Sequence, residues 1–294
     1  MAWHQSERPA GRSAELSSLD GLSTSRDDGV KTMIVAVISL MLAHGSVRTD
    51  TGFLDRSITV GTVTYRYKVY VPAEHTRERL WPVIVKLHGN GSQGTDALVP
   101  TRGGLADRIR ANRAEVPAIV LFPQAAVGKR WLDGDMEELV IAELERTVSE
   151  FGGDPARIYL TGFSMGATGA YRIAYRWPTR FAAIVGIAGR VETSDARTYA
   201  DRDKEADRQA NPFVTAPDPF SALAATIKQI PIRLFHGDND KTVPVEQSRR
   251  LLAALKTAGA NVQYVEYPGA THEDASNKAF AEVDLISWLL AQHR

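Results

Sequence analysis

The sequence predicts an α/β fold, a mostly parallel sheet with helices on both faces. Three observations carry that expectation. Short apolar, β-favouring runs at residues 82–87, 118–122, 157–161, 181–187, 232–235 and 262–267 are separated by helix-like stretches. The run at 82–87 is nearly continuously apolar, as strands buried on both faces are. Several runs end in short segments rich in Gly, His, Pro or Asp, and in such sheets sites form at the carboxyl ends of the strands.

The bulk numbers agree. The 294 residues are 44% hydrophobic and 24% charged, ordinary globular composition and enough chain for one large α/β domain. Lys plus Arg is 35 and Asp plus Glu is 35. That balance gives no ground for nucleic acid or an anionic membrane surface as partner. There are no cysteines, which excludes disulfides, a Cys nucleophile and thiolate metal sites.

Residues 1–50 read as a polar N-terminal extension containing one apolar run at 33–45. The run is too short for a stable membrane span. Lys31 before it and small residues at its end give it the pattern of a secretory signal. A secreted or periplasmic protein is expected, with a cytoplasmic one, in which the run is a docked helix, as the alternative.

The catalytic domain is expected over 51–294. Residues 56–60 and 64–71 read as a hairpin around Gly61. The strand at 82–87 ends in His88-Gly89-Asn90-Gly91, and that at 118–122 ends at Pro123-Gln124. A helix is expected at 136–151 from Leu139, Ile141, Leu144 and Val148. The strand at 157–161 runs into a helix at 167–175, and a further strand follows at 181–187. Residues 190–219 break the rhythm with a charged stretch and then Pro212, Pro217 and Pro219. They are read as a lid over the site, the other reading being a solvated excursion. The rhythm resumes with a strand at 232–235, a helix at 246–258, a strand at 262–267 and a helix at 278–291.

The chemistry centres on Gly162-Phe163-Ser164-Met165-Gly166. A Ser between two glycines at a strand-to-helix turn is the context of a nucleophile elbow. Two later loops also follow strands. One holds Asp240 in His236-Gly237-Asp238-Asn239-Asp240, and the other holds His272. The order Ser, Asp, His is that of an α/β-hydrolase. A serine hydroxyl is a poor nucleophile until a base takes its proton, and an acid must orient that base. Asp240 is preferred to Asp238 because Val243-Pro244 follows it at the usual spacing. The oxyanion hole is assigned to the N–H groups of Met165 and Asn90, with Gly91 as the alternative to Asn90. Trp131 and Gln124 are placed at the substrate wall, though a packed core suits Trp131 as well. His88 and His236 are read as structural.

These residues carry a resemblance. From about residue 51 onward the chain resembles bacterial α/β-hydrolase serine esterases of the feruloyl-esterase-like, polyhydroxybutyrate-depolymerase-like and predicted-peptidase kind. The resemblance rests on Tyr65 to Pro72, Trp81-Pro82, Leu87-His88-Gly89, Pro123-Gln124, Asp154-Pro155 through Gly166, and Trp288-Leu289-Leu290. It implies an α/β-hydrolase fold and a serine carboxylesterase that cleaves small esters, aryl or feruloyl esters included, through an acyl-enzyme. No metal or organic cofactor is implied. The chain departs from the pattern in three places. Asn90-Gly91-Ser92-Gln93-Gly94 lacks an acidic and a basic side chain that relatives often carry there. Glu273 to Asn277 replaces a nearby Trp and sets acidic groups beside His272. The 190–219 segment is longer than in many relatives. A serine peptidase or an acyltransferase on the same triad remains open, as does a non-catalytic binding protein. Oligomeric state is open.

Overall fold

The computed structural model describes residues 50–192 and 211–294. The signal-like run at 33–45 and residues 193–210 of the expected lid lie outside the described residues. Eight strands form one sheet: β1 (Gly52–Val60), β2 (Val63–Val71), β3 (Trp81–Leu87), β4 (Ile119–Phe122), β5 (Gly153–Phe163), β6 (Ala183–Ile187), β7 (Ile232–Gly237) and β8 (Val262–Tyr267). Their order is β1-β2-β4-β3-β5-β6-β7-β8. The hairpin β1–β2 and the β2–β4 pair are antiparallel, and every other pair is parallel. Every residue of β3 is buried, as its nearly continuous apolar run requires. The architecture is the α/β-hydrolase fold that the strand-helix alternation predicts.

Seven α-helices cover the sheet among the described residues: α1 (Gly104–Ala111), α2 (Gly134–Phe151), α3 (Met165–Arg176), α4 (Pro219–Ile227), α5 (Glu246–Thr257), α6 (His272–Ala281) and α7 (Leu285–Leu290). Alternate residues of each strand face opposite layers. Val83, Val85 and Leu87 pack with buried residues of α2, α3, α4 and α5. Ile84 and Tyr159 pack with Leu105 and Ile109 of α1, Ala275 and Ala279 of α6, and Leu285 and Leu289 of α7.

Three expectations need correction. The helix expected at 278–291 is two helices, because the chain turns extended at Glu282 (φ −56°, ψ 124°). The helix expected to begin at 278 begins at His272, so the acidic stretch after it forms the first turns of α6. Pro219, read as a breaker, starts α4. It sits in the first turn, where a missing N–H is no loss, and the Asp218 side chain accepts from Phe220 N–H to cap the helix.

Two buried carboxyls lie on the inner face of α2. Glu137 Oε2 pairs with Arg176 at 2.9 Å, and its Oε1 accepts from the buried Asn211 side chain at 2.9 Å. Burial nonetheless pushes its carboxyl up to about 7. Glu143 has no such help. It is wholly buried, and neither oxygen has a hydrogen-bond partner among the described residues. Burial therefore raises its carboxyl well above the ordinary range.

A carboxyl raised in the folded state favours folding relative to its ionised form below the ordinary value, and that contribution is lost as pH rises toward the folded one. Each pH unit across that window costs about 1.4 kcal/mol. Glu143→Gln removes the ionisation and keeps the shape. Its melting temperature relative to wild type should rise between pH 5 and pH 7, which thermal melts over that range will read. A difference that stays constant with pH would show that Glu143 is ionised at no such penalty.

Candidate active site

Strand β5 ends at Phe163, and the chain turns at Ser164 directly into α3. Ser164 adopts φ 55°, ψ −118°. For a residue with a side chain such a backbone costs about 1–3 kcal/mol, so its surroundings must hold it there. Ser164 N–H donates to Ile187 O on β6 at 2.8 Å, and Ser164 O accepts from Thr168 N–H at 3.1 Å. The flanking glycines allow backbone to meet backbone. A Cβ on Gly162 would lie 2.2 Å from the Gly166 carbonyl, and one on Gly166 would lie 2.3 Å from Leu87 O. No side chain fits at either position.

His272 is the first residue of α6. The Thr271 side chain accepts from Asp274 N–H while the Asp274 carboxylate accepts from Thr271 N–H, a reciprocal cap that starts the helix at His272. Asp240 lies in the turn after β7. Its Oδ1 accepts from Thr242 N–H and Val243 N–H, each at 2.8 Å. The two loops are stitched together: Asp238 N–H donates to Tyr267 O at 3.2 Å and Asn239 N–H to Ala270 O at 3.1 Å.

These elements bring three side chains into line. Asp240 Oδ2 lies 2.6 Å from His272 Nδ1, and His272 Nε2 lies 2.8 Å from Ser164 Oγ. A carboxylate accepts only, so Nδ1 carries the proton and Nε2 is free to accept from the serine hydroxyl. All three residues are buried up to one exposed edge, at 8–9% exposure. Burial by itself would raise the Asp240 carboxyl. The hydrogen bonds from His272, Val243 and Thr242 outweigh it and hold the group below the ordinary range. Asp240 is thus an anion that stabilises a proton on His272. The arrangement can move a proton from Ser164 to His272 without leaving a charge unpaired.

The structure brings Ser164, Asp240 and His272 together. Asp238 is turned elsewhere, its carboxylate accepting from Gly269 N–H at 2.6 Å. In the loop after β3, Gly91 N–H donates to Gln93 Oε1 at 2.8 Å, which takes it out of contention as an anion donor. The N–H groups of Asn90 and Met165 have no hydrogen-bond acceptor among the described residues.

Two expected wall residues belong elsewhere. Trp131 has no exposed surface; its indole N–H donates to His88 O at 3.0 Å, and its ring lies 4.8 Å from the His88 ring. It is a core residue bracing the end of β3, against Gly169 of α3, where a Cβ would lie 2.3 Å from its own. Gln124 is 2% exposed, and its amide is fully engaged. Oε1 accepts from Ala97 N–H at 2.7 Å and Nε2 donates to Ser92 O at 3.0 Å. It ties down the loop after β3 and does not face a ligand. The buried His88 is also committed. Its Nε2 accepts from Ala125 N–H at 3.1 Å, so its Nδ1–H donates to Gly89 O at 2.7 Å. Burial pushes it down to about 4 and keeps it neutral.

Two contributors have no signature in the sequence. The Gln93 amide also donates to Asn90 Oδ1 at 2.9 Å and to Lys129 O at 3.3 Å, and lies 3.8 Å from Met165 Sδ. It replaces the charged side chains absent from this loop. Phe163 packs its ring 4.7 Å from that of His272. Only its place inside the Gly-x-Ser-x-Gly motif pointed to it. Among the described residues no group of three or more His, Cys, Asp or Glu could hold a metal ion, and no helix is long and apolar enough to cross a membrane.

The model of the prolyl oligopeptidase family matches residues 124–293, more than half of the chain. An isoprenylcysteine alpha-carbonyl methylesterase of Arabidopsis thaliana is 28% identical over 52% of this chain and 41% of its own length. Acyl-protein thioesterase 1 of Gibberella zeae is 30% identical over 40% of this chain and 42% of its own length. The chain thus spans less than half the length of these two curated relatives. The crystal structure of a thermostable esterase superposes with a TM-score of 0.67 at 27% identity, covering 82% of this chain and 63% of that one.

The glycine contacts yield a test. Gly166→Ala should destabilise the fold by about 3 kcal/mol, the upper range for forced overpacking, because the opposing atoms are backbone. Denaturant unfolding reads it, and a loss under 1 kcal/mol would mean the helix can back away from β3.

Proposed function

The chain belongs to the prolyl oligopeptidase family, and we propose that it is a serine carboxylesterase. The observation that carries the reading is the unbroken hydrogen-bonded line from Asp240 through His272 to Ser164 at a strained turn. Ser164 Oγ attacks the ester carbonyl carbon as its proton passes to His272 Nε2. The carbonyl oxygen takes the negative charge and meets the N–H groups of Asn90 and Met165. Asp240 stabilises the imidazolium. His272 then gives the proton to the leaving alcohol as the C–O bond breaks, leaving an acyl-Ser164. Water repeats the sequence, losing a proton to His272 and releasing the acid and free Ser164. The steps use water and the chain's own groups.

Ester substrates are favoured by the relatives named methylesterase, thioesterase and esterase. A small ester is the proposed substrate, and an aryl acyl group such as ferulate is one case within it. A peptidase is the second reading, favoured by the name of the family itself. It uses the same groups on a poorer leaving group.

Hydrolysis of p-nitrophenyl acetate, butyrate and octanoate, methyl ferulate and an aminoacyl p-nitroanilide separates these readings. Turnover of the simple esters above the anilide is expected, and preference for the anilide would bring the peptidase forward. Ser164→Ala should lower kcat by about 10⁴-fold or more. Activity should fall on the acid side as His272 takes up a proton, and a profile flat to pH 4 would remove it as the base. Gln93→Ala should lower kcat about tenfold with little change in KM, since loosening one oxyanion donor costs less than removing it. An unchanged kcat would show that the loop holds Asn90 without Gln93.

A further inference from the structure

The turn that carries Asp240 is held by a second imidazole. His236, on β7, is wholly buried. Its Nε2 lies 3.0 Å from Val243 O and 3.2 Å from Asp240 Oδ2, and its Nδ1 lies 2.7 Å from Ser248 Oγ on α5. A carbonyl only accepts, so Nε2 carries the proton. Nδ1 must then accept from the Ser248 hydroxyl. Burial lowers the proton affinity of His236 despite the attraction of Asp240, so the ring is neutral with this one tautomer. The result is a line of close polar contacts: Ser248, His236, Asp240, His272, Ser164.

Asp240 therefore accepts three hydrogen bonds and has a fourth N–H close by, the His236 Nε2–H that Val243 O accepts. Two backbone amides meet Oδ1, and two imidazoles lie near Oδ2, His272 at 2.6 Å and His236 at 3.2 Å. Val243 is held at both ends, donating its N–H to Asp240 and offering its O to His236. One ring thus fixes both the turn and the carboxylate. The charged or titratable groups around it are Asp240 in its own loop, His272 at the start of α6, and Glu266, its register partner on β8. Glu266 is tied to Arg249 and to the Tyr264 hydroxyl.

We infer that His236 is a positioning residue for this array, sharing Asp240 Oδ2 with His272 and setting how much negative charge His272 sees. The inference rests on the hydrolytic reading above. A neutral N–H on Oδ2 draws charge away from the His272 side. Removing it leaves a more basic oxygen facing His272, which favours the protonated imidazole. The base is then lost at higher pH.

Two substitutions separate this role from simple packing. His236→Gln keeps an N–H at the reach of Nε2. His236→Asn keeps a partner for Ser248 but cannot reach Asp240. The readouts are kcat and KM on p-nitrophenyl butyrate, the acid limb of kcat/KM, and fluorophosphonate labelling to count competent sites. In His236→Asn kcat should fall about tenfold, with KM little changed. Its acid limb should move several tenths of a unit to higher pH. His236→Gln should keep the wild-type limb and most of kcat. Ser248→Ala, which frees the tautomer without touching the ring, should move the limb the same way by less, and it serves if His236→Asn does not fold. An unmoved limb in His236→Asn and Ser248→Ala, with only the labelled fraction reduced, would overturn the inference and leave His236 structural. Equal impairment in the Gln and Asn variants would do the same. A wild type that neither labels nor hydrolyses any ester overturns the reading beneath it instead.

Discussion

The constraint on which the site depends is the backbone-to-backbone contact between the start of α3 and the strands β3 and β5. Gly166 lies against Leu87 O, and Gly162 lies against Gly166. That closeness forces the turn at Ser164 into a conformation few residues tolerate. The turn is held by its hydrogen bond to β6, so three neighbouring parallel strands define one serine. The strain is stored in a buried sheet, where the surrounding core can sustain it.

The same logic runs through the loops at that edge. Each is irregular backbone, and each is held by a hydrogen-bonding side chain rather than by apolar packing alone. Gln124 and Gln93 hold the loop after β3. Trp131 and His88 lock the end of that strand. His236 holds the turn after β7, and the Thr271–Asp274 cap holds the start of α6. The buried ones are costly unless satisfied, so each specifies one arrangement of its loop. Glu143 is the contrast. It is buried, and its oxygens have no hydrogen-bond partner among the described residues.

Electrostatics at the site rests on asymmetry between similar groups. Asp240 is buried yet kept ionised, because hydrogen bonds from His272, Val243 and Thr242 outweigh its burial. His88 and His236 are buried and kept neutral, because burial penalises their charge. His272 alone of the three imidazoles joins the acid to the serine. The fold thereby joins one imidazole to the serine and uses two to hold loops.

Much of this was legible in the chain itself. Strand-helix alternation and the apolar run of β3 determined a parallel sheet, because a strand buried on both faces can carry no polar face. The Gly-x-Ser-x-Gly motif and two loops after later strands determined which side chains would share one edge, because parallel strands bring all their carboxyl ends together. What the linear sequence could not decide was direction and occupancy. Trp131 and Gln124 sit in the right loops, but whether a side chain faces substrate or core depends on atoms far away in sequence: Gly169 for one, Ser92 and Ala97 for the other. The start of α6 fell six residues before the expected 278, because the Thr271–Asp274 pair that caps it is a contact the linear sequence does not show. The choice of Asn90 over Gly91 turned on a single hydrogen bond to Gln93. These are properties of three-dimensional neighbours, and only the tertiary structure supplies them.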